Sequence, residues 1–279
     1  MLKIVSDTSC LYSRKAGLEK DLYITPLQVT INNTTYEELE DINSYDFIKL
    51  INQGFLPKSS QPPIGKIMEL YESFDSEDDV LVISMTDGLS GTYANAVMAT
   101  LDMPNPERFK VINSKTLCGP HQYLVDLALK LRDEGKTIEE IIFILNQKIN
   151  NTISFLMPVD FDYLKRGGRL SKVAAGIGGL FNLKPVLLLR EDGTKLDKFA
   201  TTRSLKLAIN KIITKMEEIK VDETYNIYIA HDGNGVMVRK IENYLRTSFA
   251  NTEIKVIELT PAFITQGGPG CIAIQAIKK

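Results

Sequence analysis

Short apolar runs that suit a β-strand alternate along this chain with longer stretches whose apolar residues recur every three or four positions. That alternation is the pattern of a parallel sheet joined by crossover helices, and it leaves few other α/β arrangements open. Residues 2–6, 80–83 and 109–112 read as strands, and 94–101, 122–134 and 137–150 as helices. In the last of these, Ile138, Ile141, Ile142, Leu145 and Ile149 share one stripe, and Thr137 with Glu140 forms a capping box. Residues 23–31 alternate apolar and polar positions and run into Asn32-Asn33, which predicts a β-hairpin with residues 34–36. Helical spacing also marks 47–54 and a stretch from about Ile64.

The character changes near residue 158. Residues 153–157 read as a strand that Pro158 breaks, and the segment from 161 to 189 is rich in glycine and apolar residues. A lobe boundary placed here gives lobes 1–158 and 159–279. Beyond it come a hairpin (185–189 and 195–201), a helix (204–219), a strand (225–230), a helix (236–248) and two strands (253–259 and 271–277). The expected class is α/β in two lobes, the first on a largely parallel sheet with crossover helices, the second on a mixed sheet with helices.

Composition closes off several functions. The 279 residues are 44% hydrophobic and 24% charged, the balance of a folded protein. A net charge of -2, with 33 Lys and Arg spread along the chain, argues against nucleic acid as partner. No apolar run reaches the roughly 18 residues of a membrane span, and residues 1–7 lack a secretory signal, so a cytoplasmic protein is expected. Cys10, Cys118 and Cys271 lie far apart and read as small apolar filler. His121 and His231 form no metal-ligand spacing, so neither metal nor cofactor is expected. His121 receives no role, and His231-Asp232 reads as an oriented loop pair.

The polar residues that remain gather at the predicted ends of strands. Asp7-Thr8-Ser9 follows the first strand, and residues 84–93 (Ser-Met-Thr-Asp-Gly-Leu-Ser-Gly-Thr-Tyr) follow the apolar run 80–83. Open α/β sheets take ligands at such ends, so the second stretch reads as a polar ligand loop. Ser59, Ser60 and Gln61 precede a double proline that fixes an extended backbone. Gly88-Leu89-Ser90-Gly91 is one residue short of a nucleophile elbow, and Gly176-Ile177-Gly178-Gly179 lacks the Lys-Ser/Thr of a phosphate loop.

Taken in order, Asp7-Thr8-Ser9, Ser60-Gln61-Pro62, Leu89-Ser90-Gly91-Thr92-Tyr93, residues 163–171 (Tyr-Leu-Lys-Arg-Gly-Gly-Arg-Leu-Ser), Lys184-Pro185, Arg203 and Gly268-Pro269-Gly270 resemble the DegV family. The resemblance runs from residue 3 to the C-terminus. It implies a long-chain fatty acid bound mainly in the C-terminal lobe, with its carboxylate near the lobe interface. It also implies the role of substrate-carrying subunit, not itself an enzyme, for a separate ATP-binding fatty acid kinase whose acyl phosphate feeds phospholipid synthesis. A monomer is expected.

Carried over by position, Ser59, Ser90 and Gln266 meet the carboxylate, with Ser60, Gly91, Thr92 and Arg203 near the headgroup. Ile177, Leu180, Phe181, Leu183, Phe263 and Ile264 line the acyl tunnel, and Lys165, Arg166 and Arg169 form a partner-docking turn. Gln266 stands where the family has a histidine. Its amide donates a hydrogen bond to a carboxylate but carries no proton near neutral pH. A tail of ~16 carbons gains on the order of 12 kcal/mol before costs, at ~0.8 kcal/mol per buried CH₂. The alternative is an enzyme acting on a small phosphorylated or carboxylated metabolite in the interlobe cleft, by analogy with the dihydroxyacetone kinase proteins. A binding module for another apolar acid is the third.

Overall fold

The computed structural model describes residues 1–172, 183–233 and 235–279. The chain divides into two units, one of residues 1–150 with 260–262, the other of residues 151–259 with 263–279.

In chain order the first unit contains β1 (Leu2–Asp7), α1 (Arg14–Leu18), β2 (Leu22–Thr25), β3 (Gln28–Ile31), β4 (Thr34–Glu37), α2 (Ser44–Asn52), β5 (Lys58–Ser60) and α3 (Ile64–Glu72). There follow β6 (Asp79–Ser84), α4 (Thr92–Leu101), β7 (Phe109–Asn113), α5 (Cys118–Asp133) and α6 (Ile138–Ile149). Four strands form a wholly parallel sheet in the order β2-β1-β6-β7. Val5, Val80 and Val82 from the sheet pack with Ile67 and Tyr71 of α3 and Ala96 and Ala99 of α4. The capping box on α6 forms as its sequence predicts: Thr137 Oγ1 accepts from Glu140 N at 3.2 Å, and Glu140 returns a carboxylate to Thr137 N at 2.9 Å.

The predicted strand over 23–31 is two strands in two sheets. Pro26 has no N–H and a fixed φ, so it ends β2 in the parallel sheet, and the chain re-enters as β3 of a separate antiparallel sheet, β4-β3-β5. Asn32 and Asn33 turn the β3–β4 hairpin with φ of 50° and 59°, the left-handed pair a two-residue turn requires. In the polar stretch before the double proline, Lys58, Ser59 and Ser60 pair with Thr30, Val29 and Gln28.

The second unit contains β8 (Thr152–Met157), α7 (Phe161–Gly167), β9 (Lys184–Leu189), β10 (Leu196–Thr202), α8 (Leu205–Glu218), β11 (Tyr225–His231) and α9 (Gly235–Ser248). It continues with β12 (Glu253–Glu258), α10 (Pro261–Gly267), whose first two residues group with the other unit, and β13 (Ile272–Lys278). Its mixed sheet runs β10-β9-β8-β13-β11-β12, antiparallel throughout except for the parallel pair β11–β12. Ala208, Ile209, Ile212 and Met216 of α8 and Val238, Ile241 and Leu245 of α9 pack with Phe155, Ile227, Ile229 and Ile274 of the sheet.

The division at 150/151 differs from the boundary drawn after 158. The strand at 152–157 pairs with β13 and β9, so it belongs to the second sheet, and Pro158 marks its end without marking the boundary.

Candidate functional site

The strand order of the parallel sheet places its topological switch point between β1 and β6. From β1 the chain crosses to β2 on one side; from β6 it crosses to β7 on the other. Asp7 ends β1 and Ser84 ends β6, so the two polar stretches read from the sequence lie side by side where open sheets take ligands.

Asp7 is fully buried and accepts three hydrogen bonds, from Ser9 N (3.0 Å) and Met85 N (2.9 Å) and, more weakly, from Ser84 Oγ (3.4 Å). His121, also fully buried, enters from α5. Its Nε2 lies 3.2 Å from the Ile83 carbonyl, which only accepts, so Nε2 carries the proton and Nδ1 accepts from the Ser9 hydroxyl. Burial holds the imidazole below its usual pKa, against the opposing charge of Asp7. The root of the loop is fixed again by Thr86 N to Thr116 O (3.0 Å) and Ser114 N to Ser84 O (2.9 Å).

Ser90, half-buried, stands nearer the tip of that loop. Its hydroxyl lies 2.7 Å from Thr92 Oγ1 and 3.3 Å from Thr92 N, and Thr92 is the buried first residue of α4. The N-cap position of α4 is Gly91, and no side chain fills it. A Cβ on Gly91 would lie 3.1 Å from the amide carbon and nitrogen of Gln61, so the two segments approach closely here. Asn95 Nδ2 donates to Pro62 O at 3.1 Å. Gln61 is thus brought to Gly91 and Pro62 to Asn95 within the first unit, while Ser59 and Ser60 pair in β5 with Val29 and Gln28.

A second group assembles in the second unit, around the ends of α7 and α10. A Cβ on Gly167 would fall 2.0 Å from Gln266 Oε1, and one on Gly268 would meet the Tyr163 ring at 2.8 Å. Arg169 Nη1 donates to Gly167 O at 2.5 Å, and burial lowers the pKa of that guanidinium. Lys165 and Arg166 are exposed and lie over the rings of Phe161 and Tyr163, at 5.7 and 4.6 Å from the ring centres. Asp232 accepts from Gly270 N, and His231 Nδ1 accepts from Gly233 N at 2.8 Å, so the pair is bound into its loops as the sequence suggests.

Of the expected tunnel residues, Ile264 is buried in α10, while Phe263 and Leu183 are half-buried. Ile177, Leu180 and Phe181 lie outside the described residues. Arg203 is exposed at the start of α8, and the cap there is made by Ser204, whose hydroxyl accepts from Leu207 N at 3.3 Å. All three cysteines are buried, and burial pushes Cys10 up to about 12. Among the described residues no cluster of His, Cys, Asp and Glu is arranged to hold a metal, and no helix is long and apolar enough to cross a membrane.

Sequence reasoning gave no role to His121 and found no role for Glu38. Glu38 is fully buried, accepts from Thr8 Oγ1 (2.5 Å) and Ala262 N (2.8 Å), and is pushed up to about 7 by burial. It stands among Glu37, Glu40 and Asp41, acids that read as a solvated turn, so no local signal singles it out.

These features define a class: a two-unit α/β protein, one unit on a parallel sheet with its hydroxyls at the switch point, the other on a mixed six-stranded sheet. Within that class the chain belongs to the DegV family, whose model, described as "Uncharacterised protein, DegV family", matches residues 1–279. A DegV domain-containing protein of Caldanaerobacter subterraneus subsp. tengcongensis is 31% identical, covering 91% of this chain and 90% of its own. Two solved structures share the fold: DegV, a fatty acid binding protein from Bacillus subtilis (26% identical, TM-score 0.85), and a fatty acid binding DegV family protein from Streptococcus agalactiae (25% identical, TM-score 0.88). Each covers 100% of this chain and 99% of its own.

Proposed function

We propose that this chain binds a long-chain fatty acid and carries it as substrate for a separate ATP-dependent kinase, which converts the carboxylate to an acyl phosphate for phospholipid synthesis. Apolar side chains take the tail, and the hydroxyls of Ser59 and Ser90 meet the carboxylate. The observation that carries the reading is the contact of Gln61 with Gly91 and of Pro62 with Asn95, which joins the segment after Ser59 and Ser60 to the loop that carries Ser90 beyond β6 at the switch point. A carboxylate leaves water only where several donors replace it, and two hydroxyls with neighbouring amides are suited to that. The Bacillus and Streptococcus relatives, named as fatty acid binding, support the ligand class. The kinase role rests on family resemblance, with the chain as carrier and Lys165, Arg166 and Arg169 as the docking turn. The protein acts in the cytoplasm as a monomer.

The test is direct. Protein purified under native conditions, denatured and extracted should yield long-chain acids by mass spectrometry, and the stripped chain should take up oleate or palmitate. Neither acid in the extract and no uptake overturns the proposal.

A further inference from the structure

Asp7 has no part in the reading above, yet it sits at the root of the loop that carries Ser90. A buried carboxylate costs several kcal/mol unless its oxygens are well satisfied, and an uncharged side chain would hold one turn at less cost. Asp7 does more than hold one turn: it accepts from its own strand end at Ser9 and from the start of the facing loop at Ser84 and Met85. Ser84, Met85 and Thr86 are all buried, whereas Ser90 is half-buried. Leu89 N donates to Thr86 O at 3.4 Å, linking the clamped root to the tip. His121 completes the arrangement by accepting the Ser9 hydroxyl, which steadies the other side of the Asp7 turn. A rigid base under an accessible tip is the form a pre-organised binding loop takes.

We propose that Asp7 is a positioning residue for the headgroup loop: by fixing the backbone at Ser84 and Met85 in the lipid-free protein, it sets the preference for a fatty acid over an uncharged lipid of equal length. The inference rests on the functional reading above. It makes the carboxylate preference depend on a group that need not touch the ligand.

The experiment compares affinities for palmitate and hexadecanol in the full chain. Wild type should prefer palmitate, and Asp7→Asn should cut that preference about tenfold while hexadecanol binding stays within about twofold, because the tail supplies most of the affinity. Equal losses for both lipids would show a merely structural role and overturn the inference. So would an unchanged preference, which would leave the functional reading standing. A wild-type chain that takes up neither lipid overturns that reading and this inference with it. Should Asp7→Asn fail to fold, amide hydrogen exchange on the unmutated chain decides: Met85 N–H should be as protected without lipid as with it, and rapid exchange in the lipid-free protein defeats the proposal.

Discussion

Burial raises the Glu38 carboxyl and lowers the His121 imidazole, and each leaves its own slope on stability. The carboxyl of Glu38 is raised by burial from an unfolded value near 4.5 to about 7, so between those values the folded chain binds more proton than the unfolded one. Its contribution therefore falls as pH rises from about 4.5 to 7, by on the order of 3 kcal/mol. His121 is lowered, chiefly by burial, so below its unfolded value of 6.5 the unfolded chain binds the extra proton and stability drops as pH falls. Denaturant melts across pH 4.5 to 8 on Glu38→Gln should show the acid slope removed, and on His121→Gln the drop below 6.5 removed. At Ser90 the expectation concerns function. Ser90→Ala should lower acyl-phosphate formation with a kinase partner about tenfold while lipid retention changes less than threefold, as one hydroxyl against a long tail implies. Equal loss of both would contradict it. Gln266→His should raise turnover or leave it unchanged; a sharp fall would show that this chain uses the position differently.

Among the elements, the helix ends decide how the candidate residues are presented. Gln266 lies at the end of α10, pressed against Gly167 at the end of α7. Gly167→Ala should push that amide aside with less than about 1 kcal/mol of instability, since a long flexible side chain can move. Its effect on lipid affinity should match that of Gln266→Ala, and the double variant should be no worse than either, as a double-mutant cycle by calorimetry would read. How much of this was legible followed from the range of the signal. Hydrophobic period and the Thr137 cap are local, and they predicted the long helices and the parallel strands. The pairing of Ser59 with Val29 and the split at Pro26 depend on which sheet a strand joins, which alternation alone does not state. The short helices α1, α7 and α10, of five, seven and seven residues, show too few turns for a period to register. At the site, the hydroxyl clusters were visible because they follow predicted strands, at the end where open α/β sheets take ligands. The buried state of Glu38 and His121 was not, because it arises from segments distant in sequence.

For the whole molecule, a ligand that binds only the folded chain raises its stability by mass action. Oleate at a hundredfold excess over its dissociation constant should add ~2.7 kcal/mol to the stripped protein. Octanoate at the same concentration should leave the thermal midpoint unmoved, because each missing CH₂ forfeits ~0.8 kcal/mol of burial. A midpoint that rises equally with both acids would show that the tail is not what binds.

The position of β13 shapes how the second unit comes into being. It lies between β8 and β11, so one of the two central strands of that sheet is the last of the six to leave the ribosome. Until it arrives, β8-β9-β10 and β11-β12 are fragments, each with a bare row of amides and carbonyls where the missing partner belongs. A nascent chain stalled before Ile272 therefore offers two templates for pairing with a neighbour, and its solubility during synthesis depends on how soon those final residues follow.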